Sequence, residues 1–170
     1  MSPKRHGGGA LDPLLGQSII PFDDILWRFG IASAFGLMLG LDREMRGISA
    51  GVRTHMLVAL SSAMTMLIAL ELYEEISARG QSDPDPTRAI QGLAQAIGFL
   101  CAGVIFVAKG SVYGLTTAAS LWMTSSLGMA AGAGMYQIAV AGLIFAVLIL
   151  SVVWLVTRYL PGSRNSANDI

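Results

Sequence analysis

The sequence predicts an all-α fold: a polytopic membrane protein built as a bundle of five transmembrane helices. Composition is the first observation behind this. Of 170 residues, 54% are hydrophobic and 13% charged, with a mean hydropathy of +0.61. A soluble domain is about 45–50% apolar and about 25% charged. So few charges cannot solvate a folded surface, which excludes disorder, a disulfide-stapled secreted domain and an ordinary soluble enzyme. The second observation is periodic. Apolar runs near the length of about 20 residues that crosses a bilayer core recur at 25–41, 54–72, 90–108, 115–131 and 136–156. Phe22, Trp27, Tyr73, Tyr113, Tyr136, Trp154 and Tyr159 stand near the ends of these runs, where interfacial aromatics belong.

Residues 1–20 read as a flexible, Gly-rich polar tail in which His6 and Gly7 to Gly9 carry no site. Residues 21–160 form the membrane domain and 161–170 a short polar tail. The first run follows Asp23 and Asp24 and lacks an A-x-A cleavage signal, so it is a span and not a signal peptide. Arg28 snorkels to the outer interface. Between the second and third runs, Asp83-Pro84-Asp85-Pro86 is a turn that cannot continue a helix, and Thr87 is placed to N-cap the third run.

Orientation follows from the basic residues. Arg43, Arg46 and Arg53 lie between runs one and two, Lys109 between three and four, and Arg158 and Arg164 at or beyond the end of five. The connection between two and three is acidic, with Glu71, Glu74, Glu75, Asp83 and Asp85. The amino terminus is therefore expected outside and the carboxyl terminus in the cytoplasm. With 11 basic and 11 acidic residues the chain has no net field to draw nucleic acid. A single Cys101 and two histidines leave no multi-ligand metal site of the Cys/His kind.

Helices in lipid associate through close backbone approach and a few polar bonds. Small residues recur at spacing four: Ala32, Gly36 and Gly40 in the first run, Ala94, Gly98 and Ala102 (with Gly103 beside) in the third, Gly128 and Gly132 in the fourth. Packing within one chain and a dimer seam both fit these stripes. Gln91 and Gln95 share one face of the third run, and Gln95 is expected in the bundle interior. Ser61, Ser62, Thr65, Ser120, Thr124, Ser125 and Ser126 can bond back to their own helix carbonyls.

The densest chemistry lies where runs one and two meet. Asp42, Arg43, Glu44, Arg46 and Arg53 crowd one boundary, where a carboxylate is costly unless paired. An Asp42–Arg53 or Glu44–Arg53 pair closing the hairpin is the expected solution. Asp42 and Glu44 also number what a magnesium site uses, although the arginines compete. His55 has room to act as a pH-sensitive group or as a structural hydrogen bonder. The turn Lys109-Gly110-Ser111-Val112-Tyr113-Gly114-Leu115-Thr116-Thr117 falls on the same face, with Thr116 or Thr117 placed to cap the fourth run. Arg43, Thr54, Thr116 and Thr117 complete this polar cluster. No phosphate loop is present, and apolar surroundings make Cys101 inert; no catalytic residue is expected.

Four ordered blocks carry a family resemblance. They are Gly36-Leu37-Met38-Leu39-Gly40-Leu41-Asp42-Arg43-Glu44; Gly51-Val52-Arg53-Thr54-His55-Met56-Leu57-Val58-Ala59-Leu60; Ile97-Gly98-Phe99-Leu100-Cys101-Ala102-Gly103-Val104-Ile105; and Gly110-Ser111-Val112-Tyr113-Gly114-Leu115-Thr116-Thr117-Ala118-Ala119-Ser120-Leu121-Trp122. From about Ile25 to Val156 the chain resembles the membrane domain of the MgtC/SapB family. The resemblance implies a non-enzymatic bacterial inner-membrane protein linked to growth in low magnesium, intracellular survival and virulence, with restraint of the membrane ATP synthase as a mode of action. A transporter or channel for an ion such as Mg2+ or for another solute is the alternative; Gln91, Gln95, Ser120 and Thr124 would then line a path in an oligomer. Cys101 stands where the family often has glycine, and Asp42 where it often has glutamate. The soluble carboxyl-terminal domain of some members is not expected here.

Overall fold

The computed structural model describes residues 18–80, 85–108 and 110–159. Five helices account for most of them: α1 (Phe22–Met45), α2 (Val52–Ala78), α3 (Thr87–Val104), α4 (Leu115–Gly132) and α5 (Tyr136–Tyr159). Two short strands, β1 (Phe106–Ala108) and β2 (Ser111–Tyr113), stand between α3 and α4. At 1.5 Å per residue, α1 and α2 are about 36 and 40 Å long. By length and composition both are long and apolar enough to cross a membrane.

The centre is a three-helix unit of α1, α2 and α4, with α3 on one flank of α4 and α5 on the other. Missing side chains let this centre close. A Cβ on Gly36 would stand 2.6 Å from the His55 carbonyl oxygen, and one on Gly40 would stand 2.6 Å from Val52 Cα. Gly132 meets the Ala63 carbonyl at 2.5 Å in the same way, and Gly128 lies still tighter on Ala59. Two glycines of α1 and two of α4 thus place backbone directly on α2. This is how helices gain contact where lipid supplies no hydrophobic drive. Around these contacts pack Ala32, Phe35, Leu39, Ala59, Ala63 and Leu127, with Ala139, Leu143 and Ala146 of α5. A second cluster joins Val58, Ile97, Cys101, Ala118 and Leu121, seating α3.

Three expectations need correction. The third apolar run does not continue to 108 as a helix. α3 stops at Val104, and residues 106–108 pair antiparallel with 111–113, Phe106 opposite Tyr113 and Ala108 opposite Ser111. Hydropathy alone cannot separate an apolar strand from an apolar helix. The β-branched Val104, Ile105 and Val107 favour extension, and Gly110 (φ +80°) and Gly114 (φ +85°) supply turns that other residues resist. Second, the α3 stripe makes no close approach inside the chain. Ala102 and Gly103 are exposed, and a Cβ on Gly98 would meet only the Trp122 ring at 3.6 Å. Third, residues 18–20 are not a free tail. Glu71 of α2 accepts bonds from Ile19 N–H (3.0 Å), Ile20 N–H (2.8 Å) and Ser18 Oγ (2.5 Å). The remaining tail residues, with Lys109 and Arg164, lie outside the described residues.

Other ends are settled by side chains. Asp85 caps α3: its carboxylate accepts the Thr87 N–H (2.9 Å) and Thr87 hydroxyl (2.6 Å), so Thr87 is the capped residue and not the cap. These bonds hold the Asp85 carboxyl below its ordinary range. Arg28 is half-buried beside the end of α4. Its Nη1 donates to the Gly132 carbonyl at 2.7 Å, placing a cation at the negative end of α4.

Candidate functional site at the end of the first helical hairpin

The α1–α2 turn is short. Gly47 (φ +69°) and the non-glycine Ala50 (φ +60°) bend it, and the Arg43 carbonyl accepts the Arg46 (3.2 Å) and Ile48 (3.0 Å) N–H groups. This geometry assigns the charges differently from the sequence expectation. Asp42 pairs one turn along its own helix with Arg46, through Nη2 at 2.5 Å and Nε at 3.0 Å. Glu44 reaches the start of α2, where Oε2 accepts the Val52 N–H at 2.8 Å, a carboxylate on the positive end of a helix. Arg53 points outward, exposed, and joins neither acid among the described residues. Residue Thr54 is half-buried and Thr116 exposed. Local i,i+4 geometry wins over the cross-turn pair because it needs no second element in register.

Arg43 is the group the fold encloses. It is 1% exposed and makes no ion pair among the described residues. Its Nη2 donates to the Thr117 hydroxyl and to the Ser49 carbonyl (3.4 Å). Buried Nε finds no partner among the described residues. The two turns assigned to one face therefore meet, through Arg43 and the first turn of α4. That turn carries no side-chain cap, so Thr117 serves the guanidinium and not its own helix end.

A file of polar groups runs from Arg43 along the α2–α4 seam. The Ser120 hydroxyl donates to the Thr117 carbonyl (2.9 Å) and lies 3.2 Å from His55 Nε2. His55 is fully buried, and its Nδ1 lies 3.0 Å from the Gly51 carbonyl. A carbonyl only accepts, so Nδ1 carries the hydrogen. Further along, Thr124 donates to the Ser120 carbonyl at 2.8 Å. Ser62 donates to the Val58 carbonyl (2.7 Å) and meets the Ser125 hydroxyl at 2.8 Å. Thr117, Ser120, Thr124 and Gly128 recur at helical spacing on one face of α4, a signal that could have located this seam. Pairing His55 with it needed the crossing of α2.

Two sequence candidates fall elsewhere. Gln91 and Gln95 are exposed on α3; its buried face runs through Ile97 and Cys101, whose Sγ donates to the Ala118 carbonyl at 3.1 Å. Gln95 is thus outside the bundle, and Ser120 and Thr124 are inside it, so the four do not line one path. Asp42 and Glu44 are each engaged, the one by an arginine and the other by a helix end. Among the described residues no three His, Cys, Asp or Glu side chains gather to hold a metal ion.

Comparison with known proteins supports a relationship over most of this length. The family model described as the MgtC family matches residues 29–159. The chain is 36% identical over 114 residues to a "Putative magnesium transporter YhiD" of Escherichia coli (strain K12), covering 67% of this chain and 53% of that protein. It is 33% identical over 148 residues to "Protein SapB" of Bacillus subtilis (strain 168), covering 86% and 64%. It is 35% identical over 121 residues to "Protein MgtC" of Brucella abortus (strain 2308), covering 70% and 48%. The chain thus spans about half the length of several curated relatives it matches. No solved structure matches it significantly.

Proposed function

The chain belongs to the MgtC family, and from that premise we propose a non-enzymatic, five-span protein of the bacterial inner membrane that adapts the cell to low magnesium. In this reading the amino terminus is outside and the carboxyl terminus in the cytoplasm. The protein acts by contact with a membrane complex such as the ATP synthase, in bacteria for which low magnesium accompanies intracellular survival. The observation that carries the reading is Arg43. A buried cation joined to the start of α4 by Thr117, with no ion pair among the described residues, ties α1 and α4 to the state of one inner-face turn. Around it, Arg53 and Thr116 are exposed and available to a partner.

Growth in low magnesium tests it. Cells lacking the protein are complemented with the wild type, Arg43→Gln, Thr117→Val and Arg53→Ala. The reading expects Arg43→Gln and Thr117→Val to fail although the proteins insert and accumulate. Arg53→Ala, at an exposed position, should lose partner binding while keeping the thermal stability of the wild type. Full complementation by all three sets the cluster aside as the site.

The printed name of the Escherichia coli relative favours one second reading, a transporter of magnesium or another ion. Sealed liposomes containing the purified protein separate the two. Magnesium or proton flux above empty liposomes supports transport. No flux from inserted, folded protein supports action through a partner.

A further inference from the structure

The outer face of α3 pairs polar groups with the wrong solvent. Gln91, Gln95 and Phe99 follow one another at four-residue spacing, and all three are exposed. Phe99 is 85% exposed. Gln95 lies eight residues into an 18-residue helix, near mid-membrane when α3 spans. Neither amide has a hydrogen-bond partner among the described residues, and lipid offers none. Water is the ordinary partner of an exposed glutamine; at this depth another protein surface must replace it.

The chemistry of the amide selects the occupant. A carboxamide both donates and accepts, so an identical face supplies what this one lacks. Two copies related by a two-fold axis along the membrane normal would bring parallel α3 helices together, Gln95 against Gln95. Such an isologous contact is self-complementary by construction. Backbones can approach there, since a Cβ on Gly92 or Gly103 of this face would meet nothing within 4 Å. The exposed face of α5, by contrast, carries Ile138, Ile144, Phe145 and Ile149, side chains that lipid solvates fully.

We propose that α3 is the seam of a homodimer, held by reciprocal Gln91 and Gln95 amide bonds and sealed by Phe99. The proposal rests on α3 crossing the membrane, as in the reading above, and concerns a second copy of this chain.

Cysteine crosslinking in native membranes tests it. With Cys101 replaced by serine, Gly103→Cys is expected to crosslink into a dimer on oxidation, and Ile144→Cys on α5 is not. Gln91→Leu/Gln95→Leu, tolerable at lipid-facing positions, should weaken the crosslink and the dimer in mild detergent. About 3- to 30-fold per amide pair is the range set by interhelical polar bonds. Gln95→Asn should retain the dimer. A monomer by light scattering together with no crosslink at Gly103 overturns the seam, as does a dimer that survives both leucines. Gln95→Cys labelled with a membrane-impermeant maleimide separates the premise from the proposal. Labelling in water means that α3 is not embedded and the premise fails. Protection combined with a monomer means that the seam alone fails.

Discussion

Arg43 shows how one residue can be held by the fold and still left short of a partner. Burying a guanidinium is costly unless its donors are satisfied, and here Thr117 and Ser49 take Nη2 while Nε has none among the described residues. Arg43→Gln cannot span the same distance. It should lower stability by about 1–3 kcal/mol, the scale of a lost bond to a charged group, measured by thermal unfolding in detergent. In a double-mutant cycle with Thr117→Val the coupling should be about 0.5–3 kcal/mol; a coupling of zero would mean that the two do not interact. Asp85 gives a residue-scale prediction in pH. Its folded-state pKa is depressed by the bonds to Thr87. Its contribution is therefore present above the ordinary carboxylate range and is lost as pH falls through the folded value. The Asp85 carboxyl carbon shift should titrate below a free aspartate, and Thr87→Ala should raise that midpoint.

At the scale of elements, the glycines sort by what they touch. Gly128 lies against the Ala59 backbone and Gly36 against the His55 carbonyl, so alanine at either must separate two helices. Overpacking of this kind costs about 1–3 kcal/mol. Gly30 has nothing within 4 Å of its Cβ position, and Gly30→Ala should be neutral or stabilising by up to about 1 kcal/mol through helix propensity. Thermal unfolding of the three variants checks the contrast. Equal effects would show that close approach is not what joins α1 and α4 to α2. Glu71 is the latch between α2 and the chain before α1. Glu71→Gln keeps the shape but loses the charge-assisted acceptor. Hydrogen exchange at Ile19 and Ile20 should rise with exchange in the α1–α2 core unchanged.

For the whole molecule, the charges set an expected orientation that labelling can read. In a Cys101→Ser background, Ser49→Cys at the α1–α2 turn should be protected from an impermeant maleimide in intact spheroplasts. Ser77→Cys near the far end of α2 should react. The reverse pattern would invert the topology. The three-helix centre also encloses the polar seam between α2 and α4. The polar file from Arg43 to Ser125 is buried by backbone-on-backbone packing, with its hydroxyls turned onto helix carbonyls. An open channel would need those groups to face water.

By itself the sequence determined the helical class, the approximate places of the helices, the small-residue contacts of α1 and α4, and the family, because hydropathy, glycine spacing and ordered motifs are local properties of the chain. It also placed Arg43 and Thr117 in one cluster. Tertiary structure decided which charges pair and which polar groups are inside. Asp42 turned to Arg46 and not to Arg53, Gln95 turned outward, Arg28 found the end of α4, and residues 106–113 left the helix to form a hairpin. In each case several local choices satisfy the same residue types. The choice depends on which backbone lies within hydrogen-bond reach, and that distance exists only after α1, α3 and α4 have packed.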